Sequence, residues 1–135
     1  MKAVMVIDRE LPLGLAANTA AVLGISLGHL AGDIIGPDVY DREGAAHRGI
    51  TTRPIPILGG TGGQIGHIIE KLSDEGFADV SIIDFNHLAQ RSRDYENYTR
   101  TLSASDSAGI RYLGICLYGP VKKVNKLTGS IGLLR

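Results

Sequence analysis

Tryptophan is absent from this 135-residue chain, which holds only one cysteine, Cys116, and two phenylalanines. A single cysteine excludes an internal disulfide and any Cys-x-x-Cys metal motif. Net charge is missing too. Fourteen Lys+Arg balance fourteen Asp+Glu, so no whole-molecule field steers nucleic acid from a distance. Long apolar runs are scarce: Ala3-Val4-Met5-Val6-Ile7 stops at Asp8-Arg9-Glu10. That is shorter than a secretory apolar segment of roughly 7–15 residues or a membrane span of about 20. The stretch from Leu11 to Ala31 is interrupted by Pro12, several glycines, Asn18 and His29. It reads as a buried helix of a cytoplasmic protein with no membrane partner. The four histidines, His29, His47, His67 and His87, show no His-x-x-His spacing, so neither a metal nor a cofactor is expected. No Gly-x-Ser-x-Gly nucleophile turn occurs either.

Glycine is abundant, with 18 residues against a usual share of about 7%. The 44% hydrophobic and 21% charged content is that of a globular chain, and the length suits one domain, residues 1–135. Residues 2–7 form a continuous apolar, β-branched run, the pattern of a strand buried on both faces. Apolar positions from Leu15 to Leu30 recur at helical spacing. Asp41-Arg42-Glu43-Gly44 between two short extended pieces predicts a β-hairpin insertion at about 36–52. Ile55 to Leu58 reads as a strand that Pro56 pushes to a sheet edge. Thr61 three residues before Gln64 fits a capping box opening the next helix. Val80–Phe85 predicts a strand, His87 to about Ser103 a surface helix, and Ile110–Tyr118 a strand. Pro120 opens a short helix through Lys126, where its missing N–H costs nothing. This alternation predicts an α/β fold: a three-layer α/β/α sandwich around a mixed, mostly parallel sheet.

In open α/β sheets, ligands bind beyond the carboxyl ends of the parallel strands. Asp84, ending a core strand, is the candidate catalytic carboxylate, a general base or an orienting group; a residue there, at 84 or 86, can equally cap the next helix. Asn18 is an amide in an apolar helix, read equally as a satisfied buried group and as a ligand contact. Thr61 lies within the glycine-rich loop Gly59-Gly60-Thr61-Gly62-Gly63, which matches neither Gly-x-Gly-x-x-Gly nor the P-loop, so it reads as cap or phosphate contact. Residues 108–135 hold Arg111, Lys122, Lys123, Lys126 and Arg135 without one acid. Lys122 and Lys126 share a helix face with Asn125, and with Tyr118 they complete the expected ligand contacts. The patch can hold phosphate or can be a solvated face.

Lys2-Ala3-Val4-Met5-Val6-Ile7 with Glu10-Leu11-Pro12-Leu13-Gly14 resembles the opening of class II peptidyl-tRNA hydrolases. Leu113-Gly114-Ile115 through Gly119-Pro120 to Lys126-Leu127-Thr128-Gly129 is similar to their close. Along the whole chain, Leu11 to Asn18, Gly36-Pro37-Asp38-Val39, Leu117-Tyr118-Gly119-Pro120 and Asn125 to Ser130 resemble an uncharacterised family, domain of unknown function 2000. The resemblance implies the peptidyl-tRNA hydrolase II fold. Where the hydrolases carry Gly-Lys-Gly-Lys, this chain has Gly14-Leu15-Ala16-Ala17, and their lysine at the second strand falls near Leu58. The leading expectation is therefore a relative that binds a small anionic or nucleotide-like ligand at the strand ends. A hydrolase acting on an RNA-linked or small ester or amide substrate, with Asp84 as base, is the alternative. A homodimeric interaction module is the third reading, and RNA is the weaker partner expectation.

Overall fold

The computed structural model describes residues 1–135. Strand β1 (Lys2–Asp8) leads to α1 (Leu13–Leu30), then to a hairpin of β2 (Val39–Tyr40) and β3 (Ala46–His47). β4 (Ile57–Gly60), α2 (Gly62–Lys71) and β5 (Ser81–Asn86) follow. Helices α3 (His87–Arg91) and α4 (Tyr95–Ser103) precede β6 (Tyr112–Gly119) and α5 (Val121–Thr128). The main sheet has the order β4-β1-β6-β5.

Alternation of side chains along β1 divides the core in two. Ala3, Met5 and Ile7 face α1 and pack with Leu23, Leu27, Phe85 and Cys116. Val4 and Val6 face α2 and α5 and pack with Ile65, Ile68, Leu117 and Val124. Both faces of the sheet are thus covered, as the unbroken apolar run of β1 requires. α1 comes especially close. A Cβ on Gly114 of β6 would lie 2.7 Å from Thr19 Cγ2 and 2.9 Å from Ile7 Cδ1, so only glycine admits the helix at this distance. Thr19, fully buried on that face, returns its hydroxyl to Leu15 O at 2.8 Å.

The expectation of a mostly parallel sheet is corrected. β1 pairs with β4 in parallel, but β6 runs antiparallel to both β1 and β5. A parallel pairing needs a crossover that carries the chain back along the whole sheet. Here the single surface helix read from His87 to Ser103 breaks at Ser92–Asp94 into two short ones. The Ser92 hydroxyl turns back to Leu88 O and Asp94 Oδ1 accepts from Asn97 N, starting α4 afresh. The chain therefore re-enters the sheet at the end it left, with Tyr112 opposite Asn86. α1 is also buried on one side only, since Leu13 is 87% and Ile25 78% exposed.

Other features follow the local sequence. The Thr61–Gln64 capping box forms, with Thr61 Oγ1 accepting from Gln64 N and Gln64 Oε1 from Thr61 N. β4 is an edge strand, partly shielded where Leu133 bridges to Leu58.

Candidate functional site

β1, β4 and β5 point the same way, so Asp8, Gly60 and Asn86 end at one rim of the sheet, together with the start of β6. The most ordered polar group there is built on Asn86, which is buried with 1% exposure. Its Oδ1 accepts from Leu88 N at 3.1 Å and Ala89 N at 3.0 Å, capping α3. Its Nδ2 donates to Asp84 Oδ2 at 2.9 Å and to Tyr98 Oη at 3.2 Å. One amide therefore fixes the helix start, the carboxylate and the phenol together. Asp84 is exposed; its remaining oxygen, Oδ1, takes no protein hydrogen bond and is free to accept from solvent or ligand.

Asp84 lines a cleft of about 440 Å³ between α1, β5, α3 and α4. Val22, Ile83 and Phe85 supply apolar wall, and Asp94, Tyr95 and Tyr98 stand at the rim. Tyr95 and Tyr98 meet edge to face with ring centroids 5.7 Å apart, an arrangement that suits the ring quadrupoles. The cleft contains two carboxylates and no cationic side chain, so it offers acceptors to donor groups and repels an anion.

A second cleft, about 620 Å³, lies between the end of β1, the start of α2 and residues 107–112. Gly62 and Gly66 form a bare strip on α2, with no atom within 4 Å of where a Cβ would stand. The first amides of α2 point beyond the helix start, where the dipole favours negative charge. Arg111 sits opposite. Its Nη2 lies 3.6 Å from Asp8 Oδ2, and Asp8 Oδ1 accepts from Glu10 N at 2.9 Å. The buried Asp8 is thereby neutralised while the mostly exposed guanidinium can reach outward. Glu70 lines the same cleft two turns along α2 from Gly62, so Arg111 is its one cation beside the two carboxylates Asp8 and Glu70.

Tyr112 stands beside the second cleft and pairs across the sheet with Asn86, which holds Asp84 of the first. It lines the second, and burial, followed by the nearby charges of Asp84 and Tyr98 from the first, raises its phenol above the ordinary value near 10.

The expected contacts do not share one cleft. Tyr118 pairs with Ala3 and Gly119 with Lys2, which places Tyr118, Lys122, Asn125 and Lys126 at the opposite end of the sheet from Asp84. The antiparallel direction of β6 is the reason. Lys122 and Lys126 are exposed on α5, and Asn125 Oδ1 accepts from Lys2 Nζ. Thr61 is at the strand-end rim, but its hydroxyl is engaged in the cap. Asn18 faces solvent, and the buried polar side chain of that helix is its neighbour Thr19. Arg111, Tyr112 and Tyr98 were not singled out as site residues. Arg111 was visible only as one of five unbalanced cations, and Tyr98 only as an apolar position of a surface helix.

The family model described as "Protein of unknown function (DUF2000)" matches residues 1–135. Among solved structures, a protein of unknown function from Agrobacterium tumefaciens strain C58 superposes with a TM-score of 0.87. It is 17% identical, over 98% of this chain and 96% of that one, and so shares the fold. No curated protein matches in sequence.

Proposed function

The chain belongs to the DUF2000 family, and we propose that it binds a small nucleotide-like ligand across the two strand-end clefts. The ligand's anionic group sits between Arg111 and the first amides of α2. Its hydroxyl or amino donors sit on Asp84, with Tyr95 and Tyr98 flanking an apolar ring. The observation that carries this reading is a ladder pair: Tyr112, which lines the Arg111 cleft, stands opposite Asn86, whose amide holds Asp84 and Tyr98 of the other cleft. An anion alone fits only the second cleft, and a donor alone only the first; a molecule with both uses the whole rim.

Thermal unfolding with AMP, GMP or inorganic phosphate tests this. A ligand at a hundred times its dissociation constant stabilises the folded state by about 2.7 kcal/mol. AMP or GMP should raise the midpoint more than phosphate does. Arg111→Gln and Asp84→Asn should each reduce the shift. No shift with any nucleotide contradicts the reading.

A second reading is favoured by the free Oδ1 of Asp84. A carboxylate held by Asn86 and open to solvent can orient a water for attack on an ester or amide. The resemblance to class II peptidyl-tRNA hydrolases supports this role for Asp84. Against it, Leu58, near the family's lysine, is 8% exposed in the core, and Leu15 and Ala16 supply no cation either. Turnover of peptidyl-tRNA that disappears in Asp84→Asn would establish the enzyme; no turnover at high protein concentration removes it.

A further inference from the structure

We propose that α1 and the β2–β3 hairpin form the contact surface of a two-fold symmetric dimer, with a second copy of this chain as the partner. The exposed stripe of α1 and the hairpin arm include neither Asp84 nor Arg111, although the flank of α1 carries Val22 and Ser26 of the Asp84 cleft, and the proposal does not depend on the ligand reading.

Twelve large hydrophobic residues are exposed, and seven of them fall between positions 13 and 50: Leu13, Ile25, Leu30, Ile35, Val39, Tyr40 and Ile50. Leu13, Ile25 and Leu30 belong to α1, Val39 and Tyr40 to β2, and Ile35 and Ile50 flank the hairpin. α1 packs on the sheet through Ala16, Thr19, Leu23 and Leu27. Its opposite face carries Gly14, Ala17, Asn18, Ala21 and Ile25, all exposed, at the spacing of one helical stripe. No Asp, Glu, Lys or Arg lies between Leu13 and Leu30. Single exposed apolar residues are ordinary, but a concentration of them marks an interaction surface.

The hairpin adds a second observation. Both of its strands are exposed, and its strands make substantial contact only with each other. A two-stranded hairpin alone in water is marginal and needs packing against something else. Ile35 touches the Gly28 position of α1, so the arm departs from the C-terminal end of the same helix.

Charge selects the partner. In an isologous contact the same patch meets itself, and like charge on it is repelled by its mate. The α1 stripe has no charge, and the arm nearly balances, with Asp38, Asp41 and Glu43 against Arg42 and Arg48 for a net charge of one negative. A surface that docks on anionic lipid is instead rich in Lys and Arg. Size sets what the arm must add. An 18-residue helix is about 27 Å long and presents a strip about 10 Å wide. The strip alone is about 270 Å², a third of the roughly 800 Å² per partner of a stable interface, so the arm has to supply the remainder. Small residues on the stripe let two α1 helices approach closely, with Asn18 near the crossing, where its amide can pair with its symmetry mate.

Sedimentation velocity on the full chain tests the proposal. The expected species at micromolar concentration has twice the 14.3 kDa mass of the chain. Ala21→Arg should weaken the dimer at least tenfold while circular dichroism stays unchanged. Ala21→Cys should give a disulfide-linked dimer on oxidation, since the native Cys116 is buried. If Ala21→Arg fails to fold, Val39→Asp on the arm, outside both cores, decides in its place. A monomer at about 100 μM, or a dimer indifferent to Ala21→Arg and Val39→Asp, overturns the proposal. So does a monomer that co-sediments with phosphatidylcholine–phosphatidylserine vesicles.

Discussion

Asn86 serves α3, Asp84 and Tyr98 with one side chain, so its removal should be felt at all three. Asn86→Ala loses a helix cap and leaves a small buried gap, and we expect a loss of about 1–2 kcal/mol in urea unfolding. Asp84→Asn keeps an acceptor for Asn86 Nδ2 and should fold with little change. Gly114→Ala is a different case, because its Cβ would press on Thr19 and Ile7. Overpacking there should cost about 1–3 kcal/mol. The Cys116 thiol, pushed up to about 12 by burial, should not react with a thiol reagent at pH 8 until the protein unfolds. At this scale the sequence was partly readable. The end of a core strand did mark Asp84, and a cap at 84 or 86 was anticipated; burial decides that 86 takes the cap and leaves 84 free. Of the two readings of Asn18, the buried one fails because the residue is exposed; α1 carries apolar residues on every side, so its period does not say which face turns inward.

Among the elements, those with local signals formed where the residues indicated. Thr61 and Gln64 satisfy each other's backbone, Pro56 keeps β4 at an edge, and Gly44, the one residue with positive φ, turns the hairpin. The direction of β6 has no local signal, because strands of either sense are equally apolar when buried on both faces. Only the break at Ser92–Asp94, which returns the chain to the same rim, fixes it. That one reversal moved Tyr118, Lys122, Asn125 and Lys126 away from the strand-end site. The hairpin also carries a pH dependence. The Asp41 carboxyl is held below 3.8, first by the His47 ring at 2.9 Å and then by the Ala45 amide. A depressed carboxylate contributes above its unfolded value and loses that contribution as pH falls through its folded one. Protection of the Ala45 and Glu43 amides, relative to their intrinsic exchange rates, should therefore fall below about pH 3.8, before the core strands respond. Equal protection of hairpin and core down to pH 2 would contradict this.

At the scale of the whole molecule, the strand-end rim gathers Asp8, Asp84, Asn86 and Arg111, α5 holds Lys122 and Lys126 at the other end, and α1 with its arm carries seven of the twelve exposed large hydrophobic residues. The balanced total charge hides this division, since it averages a basic C-terminal quarter with acidic segments elsewhere. The central claim is that the ligand occupies the strand-end rim. Its most direct test is mapping amide chemical shifts in a titration with AMP. The account predicts changes at Gly62, Gly63, Asp84, Tyr98, Arg111 and Tyr112, with α5 silent. Changes confined to Lys122, Asn125 and Lys126, or none at saturating AMP, would contradict it.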